Sequence, residues 1–125
     1  MFLQNKNVVV MGVANKKSIA WGCAKALKDQ GANVIYTYQN ERMKKQVVKL
    51  ADENDLLVEC DVASDASIQA AFETIKNEVG TIDGLVHAIA FAKKEELSGN
   101  VSDITRDGFL LAQDISSYSL LAVTH

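Results

Sequence analysis

Solid apolar runs alternate with segments in which apolar residues recur every three or four positions. Val8-Val-Val-Met11 is an uninterrupted, β-branched run of the kind found in a strand covered on both faces of a parallel sheet. Gly12 ends it. From Ser18 the residues Ile19, Gly22, Cys23, Ala26 and Leu27 fall at helical spacing, and Gly31 can take the left-handed conformation that closes a helix. Asn33 to Tyr38 (NVIYTY) reads as a second strand, followed by a helix with Met43, Val47 and Leu50 on its inner face. Leu56 to Cys60 is a third strand. Ile68, Ala71, Phe72, Ile75 and Val79 stripe a third helix that Ser64 or Asp65 can cap. Gly84 to Ile89 forms a fourth strand. A polar loop through Lys93, Glu95, Gly99 and Ser102 then leads to Thr105, which can cap a last helix from Arg106 onward.

Strict β-α alternation with short connections implies a parallel sheet with right-handed crossovers, so the expected fold class is α/β, a Rossmann-like doubly wound sheet. Four strands are present, in the expected order 3-2-1-4. The apolar end of the last helix, Ser119 to His125, carries no stop signal and no strand follows it. Residues 1–125 are therefore expected to be a fragment ending within the fourth helix.

Composition narrows the function classes. Thirteen basic against sixteen acidic residues give a net charge of −3, which leaves no electrostatic footprint for nucleic acid or anionic lipid. No run approaches a membrane span and the amino terminus is polar within four residues, so a cytoplasmic location is expected. Cys23 and Cys60 lie far apart and outside any metal-ligand spacing; both read as reduced, half-buried thiols, and no metal site is expected.

The stretch GVANKKSIAWG, residues 12 to 22, lacks the middle glycine of G-x-G-x-x-G but retains the chemistry such a turn needs. Gly12 can leave the strand without a Cβ clash. The Ser18 and Ile19 amides open a helix whose N-terminus favours phosphate, and Gly22 offers a small residue where helix meets sheet. Ser18 can also cap the helix while the longer Val13 to Lys17 segment widens the loop. A plain turn followed by a plain cap is the alternative reading of the same residues.

GVANKKSIAWG, YTYQNER (36 to 42), CDV (60 to 62), HAIAFA (87 to 92) and DGFLLAQDISSYS (107 to 119) occur in an order that resembles the bacterial enoyl-acyl carrier protein reductases, divergent members of the short-chain dehydrogenases/reductases. The resemblance implies NADH-dependent reduction of a trans-2-enoyl-acyl carrier protein in fatty acid biosynthesis, by a homotetramer when the protein is full length. It places Gly12, Ser18 and Ile19 at the pyrophosphate and ribose, Gln39 at the adenosine ribose, and Asp61 and Val62 at the adenine. Ile89 falls beside the nicotinamide ribose and Ala92 near the acyl substrate. Neutral Gln39 and Asn40 resemble the NADH-preferring members rather than those using NADPH, and Arg42, with Lys45 and Lys49, reads as a solvated helix face.

The family's catalytic tyrosines and lysine are expected beyond His125, so no catalytic residue is assigned and the 125 residues alone are expected to be inactive. Tyr38 and Lys45 have the family's tyrosine-to-lysine spacing, but they sit on the adenosine side. Tyr118 reads as a packing or subunit-contact residue, His87 as a hydrogen-bonded core histidine, and Trp21 as packing on a neighbouring loop. Asp114 falls where many short-chain reductases place an asparagine, a departure shared with the enoyl reductases. A nucleotide-binding module without catalysis, or a gene remnant, is the alternative function.

Overall fold

The computed structural model describes residues 1–125, in two compact units, Met1–Ala88 and Ile89–His125. The first unit is a parallel sheet of β1 (Asn7–Met11), β2 (Asn33–Tyr38), β3 (Leu56–Glu59) and β4 (Gly84–His87) in the order β3-β2-β1-β4. The helices α1 (Ile19–Asp29), α2 (Glu41–Val48) and α3 (Asp65–Val79) connect successive strands. The expected sheet order is met.

β1 and β2 are central, and their runs of Val, Ile, Tyr and Met are buried on both faces as a doubly covered parallel strand requires. Val8, Val10, Val34 and Tyr36 share one face with Ala20, Ala24 and Val47 of the helices; Val9, Met11 and Ile35 point the other way and are equally buried. β4 is shorter than the expected 84 to 89. Its pairing with β1 ends at Met11 opposite His87, and after one more bond, from the Ala88 amide to the Met11 carbonyl, Gly12 turns the partner away. His87 is consequently half-buried on an edge strand rather than a core histidine.

The buried stripe of α1 differs from the expected one. Ala20 and Ala24 are fully buried, with Trp21 and Leu27 packed beside them, whereas Ile19, Gly22 and Ala26 are exposed. Alanine lets the helix axis approach the sheet, so the small residues rather than the largest apolar ones take the inner positions. Trp21 accordingly packs on the core near Tyr36, ring centroids 6.5 Å apart, and not on a loop. Lys28 at the end of α1 forms ion pairs with Asp52 and Asp55 in the turn before β3.

Side-chain caps start α2 and α3. The Met43 amide donates to Asn40 Oδ1 (3.0 Å), and the Ser67 amide to Ser64 Oγ (3.2 Å). In the second unit, 3-10 turns at Lys94–Leu97 and Val101–Asp103 precede α4 (Arg106–Gln113), which Thr105 caps at the Gly108 amide (3.0 Å). A π-helical turn, Asp114–Tyr118, joins α4 to α5 (Ser119–Thr124).

Candidate functional site

The carboxyl edge of an open parallel sheet is where ligands bind, at the point where the chain reverses its winding. In the order β3-β2-β1-β4 that point lies between β1 and β4. Gly12 stands there with φ of 106°, a value L side chains rarely adopt. A Cβ at Gly12 would lie 2.8 Å from the Ala88 carbonyl carbon and nearer still to its oxygen. The glycine is required by both the turn and the close approach of the two strand ends.

From Gly12 the wide loop to α1 is organised around Asn15. Its side-chain oxygen accepts from the Lys17 amide (2.8 Å), and its carbonyl accepts from both the Ser18 amide (3.1 Å) and the Ser18 hydroxyl (2.8 Å). Ser18 is the N-cap of α1 by backbone position, yet its side chain makes no cap bond. The hydroxyl is instead spent on holding the loop, so the first-turn amides of α1 receive no side-chain oxygen and face the ligand edge with the helix dipole behind them. Ile19, the first residue of α1, is 81% exposed.

Gly22 departs from the expected role. Nothing lies within 4 Å of a Cβ built on it, and Ala20 and Ala24 occupy the helix-to-sheet contact in its place.

Gln39 and Asn40 follow β2 and are exposed; the Asn40 side chain is committed to capping α2. Arg42, Lys45 and Lys49 are exposed, as a solvated face requires. Tyr38 ends β2 with the Lys44 ammonium 5.7 Å from its ring centroid. After β3, Asp61 and Val62 are half-buried in a turn. The Asp61 amide donates to Ser67 Oγ (2.8 Å), and its carboxylate accepts from the Ala63 amide (3.0 Å). Cys60 beside them is buried rather than half-buried, and burial, with the nearby Asp61 charge, pushes its thiol up to about 11.

The first unit therefore brings Gly12, Ser18, Ile19, Gln39, Asp61 and Val62 to the carboxyl ends of β1, β2 and β3. Ile89 and Ala92 belong to the second unit, in the segment after β4. There the Phe91 amide donates to Ser116 Oγ (3.0 Å), and Ser116 Oγ donates back to the Phe91 carbonyl (3.3 Å). The motif DISSYS contributes to the resemblance, but no spacing in the sequence ties Ser116 to Phe91.

A glycine cradle at the switch point, a helix opening without a side-chain cap and turns after the second and third strands are the parts a dinucleotide needs. The family model described as Enoyl-(Acyl carrier protein) reductase matches residues 12–125. The chain belongs to this family. It is 55% identical over 125 residues to a Bacillus subtilis (strain 168) protein named enoyl-acyl-carrier-protein reductase (NADH) FabI, covering 97% of this chain and 48% of that protein. A Staphylococcus aureus (strain NCTC 8325 / PS 47) relative, 50% identical over 127 residues, is named as the NADPH enzyme, with 98% of this chain and 50% of that protein covered. Among solved structures, the Bacillus cereus enoyl-acyl carrier protein reductase with NADP+ and indole naphthyridinone superposes with a TM-score of 0.92 at 52% identity, covering 98% of this chain and 49% of that one. The chain spans about half the length of the relatives it matches. No helix of this enoyl reductase family member is long and apolar enough to cross a membrane.

Proposed function

We propose that residues 1–125 are the NADH-binding Rossmann part of an enoyl-acyl carrier protein reductase of fatty acid biosynthesis. The observation that carries the reading is Gly12, whose positive φ and approach to Ala88 open the crevice at the switch point. NADH, when bound, supplies the hydride for the β-carbon of a trans-2-enoyl thioester carried by acyl carrier protein.

The chain's own residues bind and orient. Gly12 admits the pyrophosphate to the backbone, and the Ile19 amide meets its charge at the start of α1, beside Ser18, whose own amide is held by the Asn15 carbonyl. Gln39 takes the adenosine ribose. The Asp61 carboxylate and Val62 backbone border the adenine, with Ser67 holding the turn through the Asp61 amide (2.8 Å). Exposed Ile19 contributes apolar cover. Ile89 lies beside the nicotinamide ribose and Ala92 near the acyl chain.

NADH is favoured over NADPH because residues 39 and 40 are both neutral, and Asn40 already has a structural task as the α2 cap. A relative named for NADPH is 50% identical over 127 residues, so overall identity does not decide the cofactor.

No tyrosine is placed for proton transfer to an enolate. Tyr36 is buried in β2, Tyr38 ends that strand, and Tyr118 closes the π turn. The 125 residues by themselves are expected to bind NADH without turning over substrate, in a cytoplasmic protein whose full-length form is a homotetramer. The test is to mix the purified chain with NADH and a trans-2-enoyl thioester and follow absorbance of the reduced nicotinamide. Saturable NADH binding without oxidation supports the reading; thioester-dependent oxidation would refute the assignment of catalysis elsewhere.

A further inference from the structure

Hydroxyls on the helices of this chain mostly serve their own helix. Thr74 Oγ1 donates to the Ala70 carbonyl (3.0 Å), Ser119 Oγ to that of Ile115 (2.6 Å), and Thr124 Oγ1 to that of Leu120 (2.9 Å). This back-bonding to the residue four earlier is the ordinary outcome for Ser and Thr within a helix. Ser116 does something else. Its hydroxyl crosses 25 residues of sequence to accept from the Phe91 amide and donate to the Phe91 carbonyl. One hydroxyl can do both, since it offers a donor and two acceptor lone pairs.

The position of Ser116 explains how it reaches. It lies in the middle of the Asp114–Tyr118 π turn, where the helix widens; such single-turn insertions recur at functional sites. Phe91 lies between Ile89 and Ala92, in a segment without strand or helix of its own, so both backbone polar groups of Phe91 need partners from elsewhere. The Phe91 side chain is 48% exposed and supplies little packing to fix the segment.

We infer that Ser116 is a positioning residue: its two-way bond to the Phe91 backbone holds residues 89 to 92 in the conformation that receives the nicotinamide half of the dinucleotide. The inference rests on the proposed function, which puts Ile89 and Ala92 at that end of the ligand. Ser116 touches neither cofactor nor substrate and acts through the backbone of Phe91.

The test compares two ligands on the same chain by titration calorimetry: NADH, and ADP, which lacks both the nicotinamide and its ribose. In Ser116→Ala the NADH dissociation constant should rise about tenfold, the order expected when a segment loses two hydrogen bonds, while that for ADP stays within about twofold. Ser116→Thr, which keeps the hydroxyl, should restore NADH binding, and exchange of the Phe91 amide should accelerate in Ser116→Ala alone. An unchanged ratio of NADH to ADP affinity in Ser116→Ala would overturn the inference. Equal loss of both ligands would also overturn it, because the effect would then be global. If the unsubstituted chain binds neither ligand, the dinucleotide reading itself is wrong and this inference falls with it.

Discussion

Two glycines in the same motif have opposite consequences. Gly12→Ala forces a side chain into a backbone conformation with φ of 106° and into the Ala88 carbonyl, and should cost about 3 kcal/mol of unfolding free energy in a urea titration. Gly22 sits exposed within α1 with open space around it, so Gly22→Ala should raise stability by about 0.5–1 kcal/mol. A destabilised Gly22→Ala would mean that this position is needed where helix meets sheet after all. The first glycine was legible because it ends an apolar run. The role of the second was not: whether Gly22 or Ala20 faces the sheet depends on a rotation of α1 by a fraction of a turn, and small residues barely mark either face.

Cys60 sets a pH dependence. Its folded thiol, pushed up to about 11 from an ordinary value of 9.0, stays protonated where the unfolded chain's thiol ionises. The folded state then holds more protons than the unfolded one between these two values, so stability should fall as pH rises from about 9 to 11. Below that window the group contributes its full effect. Cys60→Ala, compared with the parent at pH 8 and pH 10.5 by thermal melting, should reduce the alkaline loss; an unchanged difference would assign the loss to other groups such as Lys28. Burial lowers the Lys28 ammonium, but hydrogen bonds to Asp52 and Asp55 outweigh it and leave it raised. Its contribution is present below its ordinary value and fades as pH rises through the raised one.

At the scale of elements, the segment after β2 has two tasks at once. Asn40 caps α2 while standing beside the residue expected at the adenosine ribose. Asn40→Ala should cost about 1 kcal/mol, and Asn40→Asp, which keeps an acceptor at the helix N-terminus, should cost much less. Equal losses in the two variants, by denaturant melting, would show that the cap bond contributes nothing. Element types and order were legible here because each strand is built on an apolar run and because Ser64 and Thr105 mark the starts of α3 and α4. The π turn within DISSYS was not. Its sequence continues the helical pattern of α4, and the partner of Ser116 within it, Phe91, stands 25 positions earlier. The sequence marks the loop from Gly12 to Ser18 as a wide turn, but the use of the Ser18 hydroxyl to hold Asn15 rather than to cap α1 depends on a rotamer that no spacing encodes.

For the molecule as a whole, the proposed dinucleotide site lies on the carboxyl edge of the sheet and is assembled from turns far apart in sequence. Membership of the enoyl reductase family and the 3-2-1-4 sheet agree with it, and the cofactor choice rests on neutral residues at 39 and 40. Titration of the isotopically labelled chain with NADH, read by amide chemical shifts, tests the claim most directly. Saturable shifts are expected at Gly12, Ser18, Ile19, Gln39, Asp61 and Val62, with a weaker response to NADPH. Shifts confined to other surfaces, or no saturable response at these six positions, would contradict it.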